Sequence, residues 1–261
     1  MTVSSSRPAT APPAPSSPPA APSGRFLLLD ALRGLALVCM IAYHACFNLD
    51  NLFGVPLPWF HTPGAHAWQF VNSGLFLLLA GLCVHFTRHI WRRTAGLFLV
   101  ALALTAVTWL VMPQELIVCG ILHCIAACLL LCALFGRWLA RIPAPVGAAL
   151  CVALFLCTCQ LPQGSLFFGP FALPLPEGLY QVYPLSFLGF PSPTFRSGDY
   201  FPLLPNVFLF LLGYYLYPAF LRLPLRVRMA GVRPLNFLGR HSLLIYLAHQ
   251  PVLMGIMLLF F

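Results

Sequence analysis

The sequence predicts an all-α polytopic transmembrane helical bundle of about seven helices, with the N-terminus in the cytoplasm and the C-terminus outside. Three observations carry this prediction. Hydrophobic residues make up 60% of the 261 residues and charged residues only 7%, which excludes an ordinary soluble domain. The mean hydropathy is +0.89, and the apolar residues fall into runs long enough to cross a bilayer as helices.

The chain divides at about residue 25. Residues 1–24 are rich in Pro, Ala and Ser, a composition that cannot bury a core, and we expect them to form a disordered tail. Residues 25–261 form the predicted membrane domain. Its seven hydrophobic segments span residues 26–49, 67–87, 95–112, 116–136, 145–161, 201–220 and 241–260.

The basic residues alternate between connections. All 14 are arginines, and they lie mainly in the tail and in every second connection, whereas four of the five acids occupy the remaining connections. The positive-inside rule then places the N-terminus in the cytoplasm. Seven crossings make this alternation of basic and acidic connections consistent, which supports the count of seven segments independently of hydropathy. The arginine-bearing connections span residues 88–93, 137–141 and 222–240.

The first segment carries three ionisable groups, Asp30, Arg33 and His44. A charged side chain near the bilayer centre costs about 2.5–3.5 kcal/mol on insertion scales. In a helix, Arg33 and His44 share one face about 16 Å apart, and Asp30 neighbours Arg33. The pattern predicts a cation near one surface and a titratable base toward the other. The alternatives are a snorkelling anchor for Arg33 and a purely structural Asp30–Arg33 pair.

Five further residues are candidates on the predicted outer side. His61 and His66 lie in the connection of residues 50–66, where an external substrate would arrive. His123 lies near the outer end of the fourth segment, and His249 lies within the seventh. For each residue, two roles are open: it binds substrate, or it is a structural histidine that forms hydrogen bonds between helices. Asp199 is predicted to cap the sixth helix, with a bond to a substrate hydroxyl as the alternative.

The cytoplasmic arginines are candidates for binding an anionic soluble cofactor, or they set topology and bind lipid headgroups. His85 and His89 have the spacing of metal ligands, but no carboxylate is near in sequence, so no metal site is predicted. The ten cysteines form no CxxC pair and are predicted to pack between helices. The candidate arginines are Arg33, Arg88, Arg92, Arg93 and Arg240.

The first segment resembles the opening of a transmembrane acyltransferase. Residues 29–34 read LDALRG, and ten residues separate Arg33 from His44, a pattern similar to bacterial O-acyltransferases of the acyltransferase-three type. Residues 25–255 more closely resemble bacterial relatives of the catalytic domain of heparan-alpha-glucosaminide N-acetyltransferase. The stretches that agree are residues 55–60, 119–123, 199–205 and 238–251.

The resemblance implies transfer of an acyl group from cytoplasmic acyl-CoA to a hydroxyl or amine of an extracytoplasmic, sugar-like acceptor. We expect the acyl group to be acetyl and the donor acetyl-CoA, although the sequence leaves the length of the acyl chain open. The acyltransferase-three pattern makes His44 the catalytic base. In the animal N-acetyltransferase an Asn corresponds to His44, and the catalytic His lies further along, in the region of His61 and His66. We expect His44 to be the principal base because its helix fixes it relative to Arg33, which Asp30 orients. Direct transfer and a covalent acyl-histidine both remain open.

The resemblance also implies a location in the bacterial inner membrane. The expected partners are the lipid bilayer and a small-molecule or glycan acceptor, with no nucleic acid, and a homodimer is left open. Two other functions compete with acyl transfer. A proton-coupled secondary transporter would use the buried ionisable groups as a relay, although the sequence has no internal duplication. A non-catalytic membrane subunit would use them for helix packing alone.

Overall fold

The computed structural model describes residues 26–261, and the prediction of a disordered tail over residues 1–24 lies outside that range. The described chain is mostly helical, which confirms the all-α class. Short 3-10 and π segments extend several of the helices, most notably a π turn at Asn48–Leu52. The helices are α1 (Leu27–Phe47), α2 (Pro63–Leu82), α3 (Ile90–Val111), α4 (Ile121–Leu139), α5 (Ala144–Thr158), α6 (Leu203–Tyr215), α7 (Tyr217–Arg222), α8 (Leu225–Arg228), α9 (Arg233–Arg240) and α10 (Ser242–Met257).

Within residues 26–261, six helical stretches are long and apolar enough to cross a membrane. They correspond to the first six predicted hydrophobic segments. The seventh segment forms α10, which has 16 residues and a length of about 24 Å at 1.5 Å per residue. This is shorter than a hydrocarbon core of about 30 Å. Seven apolar segments are therefore helical, and the sides on which the termini lie remain a prediction.

A small β-hairpin interrupts the long connection between α5 and α6. Strand β1 (Ser165–Phe168) pairs antiparallel with β2 (Phe171–Pro174), and Ser165 lies opposite Pro174. The turn contains Gly169 at a φ of +64°, a left-handed conformation that glycine adopts without steric cost. The sequence analysis did not predict this hairpin, because its two strands are only four residues each and do not alternate in polarity.

Helix α1 is packed against α9 through two glycines, one on each helix, and each glycine lies against the backbone of the opposite helix. A methyl group added at Gly34 would overlap the carbonyl oxygen of Leu235, and one added at Gly239 would overlap the carbonyl oxygen of Asp30. Helices can approach this closely only where a side chain is missing. The contact brings Arg240, at the end of α9, beside the first two turns of α1.

A second glycine pair holds α2 against α6. A methyl group at Gly81 would overlap the carbonyl oxygen of Phe210, and one at Gly213 would overlap that of Leu78. The largest buried core cluster lies next to this crossing and includes Cys124, Cys128 and Cys132 of α4, which confirms the predicted packing role of these three thiols. Its fully buried members are Leu77, Cys124, Cys128, Leu129 and Phe210.

Candidate functional site

A cavity of about 760 Å³ lies between the helices and is lined by both Arg33 and His44. Its walls come from α1, α2, α3, α4, α9 and α10, and from residues 198–201 before α6. Arg33 and His44 belong to one unbroken helix, so their Cα atoms are about 16 Å apart along its axis. The cavity volume lies within the range of about 300–1,000 Å³ that is typical of small-molecule sites.

At one end of this cavity, Asp30 holds two guanidinium groups. Its carboxylate lies 3.4 Å from Nη1 of Arg33 and 3.7 Å from Nε of Arg240, and its side chain is only 1% exposed. The predicted Asp30–Arg33 pair is thus confirmed as an ion pair. A carboxylate this deeply buried needs compensating charge, and the close contact of α9 with α1 supplies Arg240 as the second cation.

Two further arginines line the same end, which we call the arginine end. Nη1 of Arg93 donates to the Thr87 hydroxyl at 2.5 Å and to the Cys83 carbonyl at 3.4 Å. Nη2 of Arg33 lies 2.6 Å from the Cys83 sulfur, so Cys83 joins the two guanidinium groups. Arg92 also faces the cavity. Four guanidinium groups against one buried carboxylate leave this end positively charged, which favours an anionic ligand.

At the other end, Asp199 connects α4 with α10. Its Oδ2 accepts hydrogen bonds from the Ile121 N–H at 3.1 Å and from the Tyr246 hydroxyl at 3.3 Å. The predicted cap was therefore assigned to the wrong helix, because Asp199 caps α4, whereas α6 begins after Pro202 without a side-chain cap. Burial raises the pKa of Asp199, and its two hydrogen bonds partly oppose that rise.

His44 forms a ring contact with His249 at this second end. The two imidazole centroids are 4.9 Å apart, and no other described residue hydrogen-bonds to Nδ1 of His44. One turn further along, Asn48 and Gln250 exchange two amide hydrogen bonds of 3.1 and 3.3 Å. Since Asn48 is fully buried, this amide pair fixes α10 against α1 and so sets the distance between the two histidines.

A polar stripe on α2 lines the cavity and was missed by the sequence analysis. Gln69, Asn72 and Ser73 all face it, as does Tyr43 of α1, whose hydroxyl donates to Oε1 of Gln69 at 3.2 Å. The signal was present in the sequence, because positions i, i+3 and i+4 of a membrane helix share one face. These residues carry no charge, so they do not stand out from the sequence as the ionisable residues of the membrane segments do.

The other predicted site residues lie away from the cavity wall. His61 is 65% exposed and binds Asp50 at 2.8 Å, and His66 is exposed near the start of α2. Nε2 of His123 lies 3.3 Å from the Thr105 hydroxyl, between α3 and α4. Arg88 is exposed just before α3. The structure therefore groups Asp30, Arg33, His44, Arg92, Arg93, Asp199, Arg240 and His249 around one site.

Among residues 26–261, no cluster of three or more His, Cys, Asp or Glu side chains has a metal-binding arrangement. The polar groups of the site are guanidinium, imidazole, carboxylate, amide and hydroxyl groups. This set can bind an anion at one end and move a proton at the other.

Comparison with known proteins identifies the family. The family model described as heparan-alpha-glucosaminide N-acetyltransferase, catalytic, matches residues 25–251, which include every residue that lines the cavity. No curated protein and no solved structure shows significant similarity to the chain. The match confirms the predicted N-acetyltransferase relationship, whereas the acyltransferase-three motif stays a prediction. With its membrane-length helices, the chain belongs to the heparan-alpha-glucosaminide N-acetyltransferase catalytic-domain family of membrane acetyltransferases.

Proposed function

We propose that this membrane acetyltransferase moves an acetyl group from cytoplasmic acetyl-CoA to a hydroxyl or amine of an extracytoplasmic, sugar-like acceptor. The bacterial inner membrane is the proposed location, and the positive-inside rule supports a cytoplasmic arginine end. One observation carries the proposal. A single cavity has four guanidinium groups at one end and the His44 imidazole at the other, and the Cα atoms of Arg33 and His44 lie about 16 Å apart on one helix.

The arginine end fits the phosphates of CoA. Guanidinium groups bind phosphate oxygens through two parallel hydrogen bonds, and Arg92, Arg93 and Arg240 lie beside Arg33 on the cavity wall. Asp30 holds Arg33 and Arg240 at a fixed separation, which removes part of the entropy cost of ordering two long side chains. When CoA is bound there, its thioester supplies the acetyl group.

The His44 end fits the acceptor. A neutral imidazole takes a proton from a hydroxyl or amine as that group attacks, and general-base catalysis of this kind contributes about 10²- to 10⁴-fold. Asn72 and Ser73, together with Asp199 and Tyr246, surround this end with groups that hydrogen-bond to a polyhydroxylated molecule. The same placement of His44 serves either direct transfer or a transient acetyl-histidine.

Acetyl transfer by the purified protein tests this function. Wild-type protein is incubated with acetyl-labelled CoA and glucosamine, and labelled N- and O-acetylated products are separated by mass spectrometry. We expect His44→Ala to lower the rate at least about 100-fold, whereas Arg141→Ala, an exposed arginine away from the cavity, retains the wild-type rate. Uptake of glucosamine into vesicles without consumption of acetyl-CoA would favour a transporter instead.

The same assay also tests His61 and His66, because the resemblance leaves open whether one of them is the principal base. Both side chains lie away from the cavity wall, and His61 is paired with Asp50. We therefore expect His61→Ala and His66→Ala to retain most of the activity. Loss of activity in either variant, with His44→Ala unaffected, would transfer the base role to that loop histidine.

A further inference from the structure

His44 also lines a second, smaller cavity next to the main one. This cavity has a volume of about 60 Å³ and is shared with His249, Glu115, Asp199 and Tyr246. A space of this size has room for about two water molecules at roughly 30 Å³ each. Most of its lining is apolar, and the side chains of His44, His249, Glu115, Asp199 and Tyr246 supply the hydrogen-bond partners for water. The catalytic role proposed above for His44 makes no use of this space.

The hydrogen bonds of His249 identify its tautomer. Nδ1 of His249 is in hydrogen-bond contact with the Tyr246 carbonyl, and a carbonyl oxygen can only accept, so Nδ1 carries the proton. Neutral His249 therefore presents Nε2 as a proton acceptor. Nε2 is buried without a hydrogen-bond partner among the described residues, and the same is true of Nδ1 of His44. Buried polar atoms of native proteins rarely lack partners, and a bridging water is the usual remedy.

Glu115 connects this small cavity to the surface. It lies in the turn at Pro113–Glu115 before α4 and is half-exposed, and an added methyl at Gly198 would lie 2.9 Å from its Oε2. The ionisable groups that face His44 are Tyr43 on its own helix, His249 and Tyr246 on α10, and Asp199 and Glu115 on the two loops. None of the arginines within residues 26–261 lines the small cavity.

We propose that the small cavity is a proton-release path, in which His249 accepts the proton that His44 removes from the acceptor. His249 then releases it to cavity water, and Glu115 passes it to the aqueous phase on that side. His249 is a positioning and relay residue, because it contacts His44 and lies off the main cavity wall. The inference rests on the proposed acetyl transfer and adds the route by which the base is regenerated.

The reaction balances with this route. The acceptor oxygen or nitrogen bonds to the acetyl carbonyl carbon, the carbon–sulfur bond breaks, and its electron pair stays on the sulfur. One proton leaves the acceptor through His44 and His249, and the CoA thiolate takes up one proton from water when it leaves through the arginine end. Each turnover thus releases one proton at the Glu115 side and consumes one at the arginine end.

Chemical rescue tests this path in the full chain with acetyl-CoA and glucosamine. We expect His249→Ala to slow transfer about tenfold or more, and added imidazole to restore the rate because it enters the vacated space and carries the proton. His89→Ala, at an exposed histidine outside both cavities, should keep the wild-type rate and gain nothing from imidazole. A full rate in His249→Ala, or a slow rate that imidazole leaves unchanged, would overturn the proposal.

A second variant decides the question if His249→Ala does not fold. Glu115→Gln removes the proton carrier at the mouth of the small cavity, and Glu177→Gln is its exposed, matched control. We expect Glu115→Gln to be slow in dilute buffer and restored by concentrated imidazole buffer. Equal rates in the two variants, or a slow rate that the buffer fails to restore, would reject the path. An inactive wild-type protein would instead refute the acetyl transfer itself.

Discussion

Arg33 and His44 lie eleven residues apart on one unbroken helix, and both side chains line the same cavity. Helical geometry alone places them on one face, about 16 Å apart. The structure adds that the space between them is open rather than filled by side chains. One helix therefore fixes the distance between an anion-binding end and a proton-accepting end.

Arg33 is expected to act mainly on donor binding. Its replacement in Arg33→Ala leaves Asp30 paired with Arg240, so the fold should tolerate the change. A hydrogen bond to a charged group contributes about 1.5–3 kcal/mol, which corresponds to a rise in KM for acetyl-CoA of roughly 10- to 100-fold. Steady-state kinetics at varied acetyl-CoA checks this, with Arg141→Ala as the control. An unchanged KM in Arg33→Ala would remove the guanidinium from the donor site.

The contact between α1 and α9 should be sensitive to a single added methyl group. Gly34→Ala places a methyl where the Leu235 carbonyl oxygen lies, and overpacking of this kind costs about 1–3 kcal/mol. Gly136→Ala on α4 is the matched control, since nothing lies within 4 Å of its added methyl and alanine is the better helix former. Thermal unfolding in detergent should show a lower midpoint for Gly34→Ala than for Gly136→Ala. Equal midpoints would contradict the close helix contact.

Asp199 should give stability a pH dependence of known sign. Burial raises its pKa above the ordinary value near 3.8, so the folded protein binds this proton more tightly than the unfolded chain does. The stabilisation is complete below the unfolded pKa and is lost as pH rises through the folded pKa. Asp199→Asn mimics the protonated form. We expect its unfolding midpoint relative to wild type to increase as the pH is raised from below 4 to 7.

The control for this experiment is the exposed acid in Glu177→Gln, whose midpoint should follow wild type at every pH. A midpoint of Asp199→Asn that falls relative to wild type as the pH rises would show that the folded protein holds Asp199 as a stabilised carboxylate. That result would contradict burial as the dominant influence on its pKa.

Much of the fold could be predicted because crossing a bilayer imposes a simple rule on composition. Apolar runs mark the helices, and the ionisable residues inside the first run identified Asp30, Arg33 and His44 as site candidates. Sequence rules that consider only neighbouring residues could not predict contacts between segments that are distant in the sequence. Asp199 precedes α6, yet its carboxylate caps α4, and only the folded loop brings the two together. Likewise, α9 has eight residues and no apolar run, but its glycine contact delivers Arg240 to Asp30.

The cavity itself could not be predicted, since empty space depends on how all the helices pack. Gln69, Asn72 and Ser73 became site residues only when α2 was seen to face it. His123 shows the reverse case. Its position in a motif suggested substrate binding, but its ring lies beside Thr105, away from the cavity wall. Its substrate-binding role stays a prediction.

The most direct test is a structure of the wild-type protein with an acetyl-CoA analogue whose thioester sulfur is replaced by a methylene group. The account predicts that its phosphates contact Arg33, Arg93 and Arg240 at the arginine end. The carbonyl carbon should then lie within reach of the His44 imidazole. An analogue bound outside this cavity, or one whose carbonyl carbon ends beside His61 or His66 instead, would contradict the account.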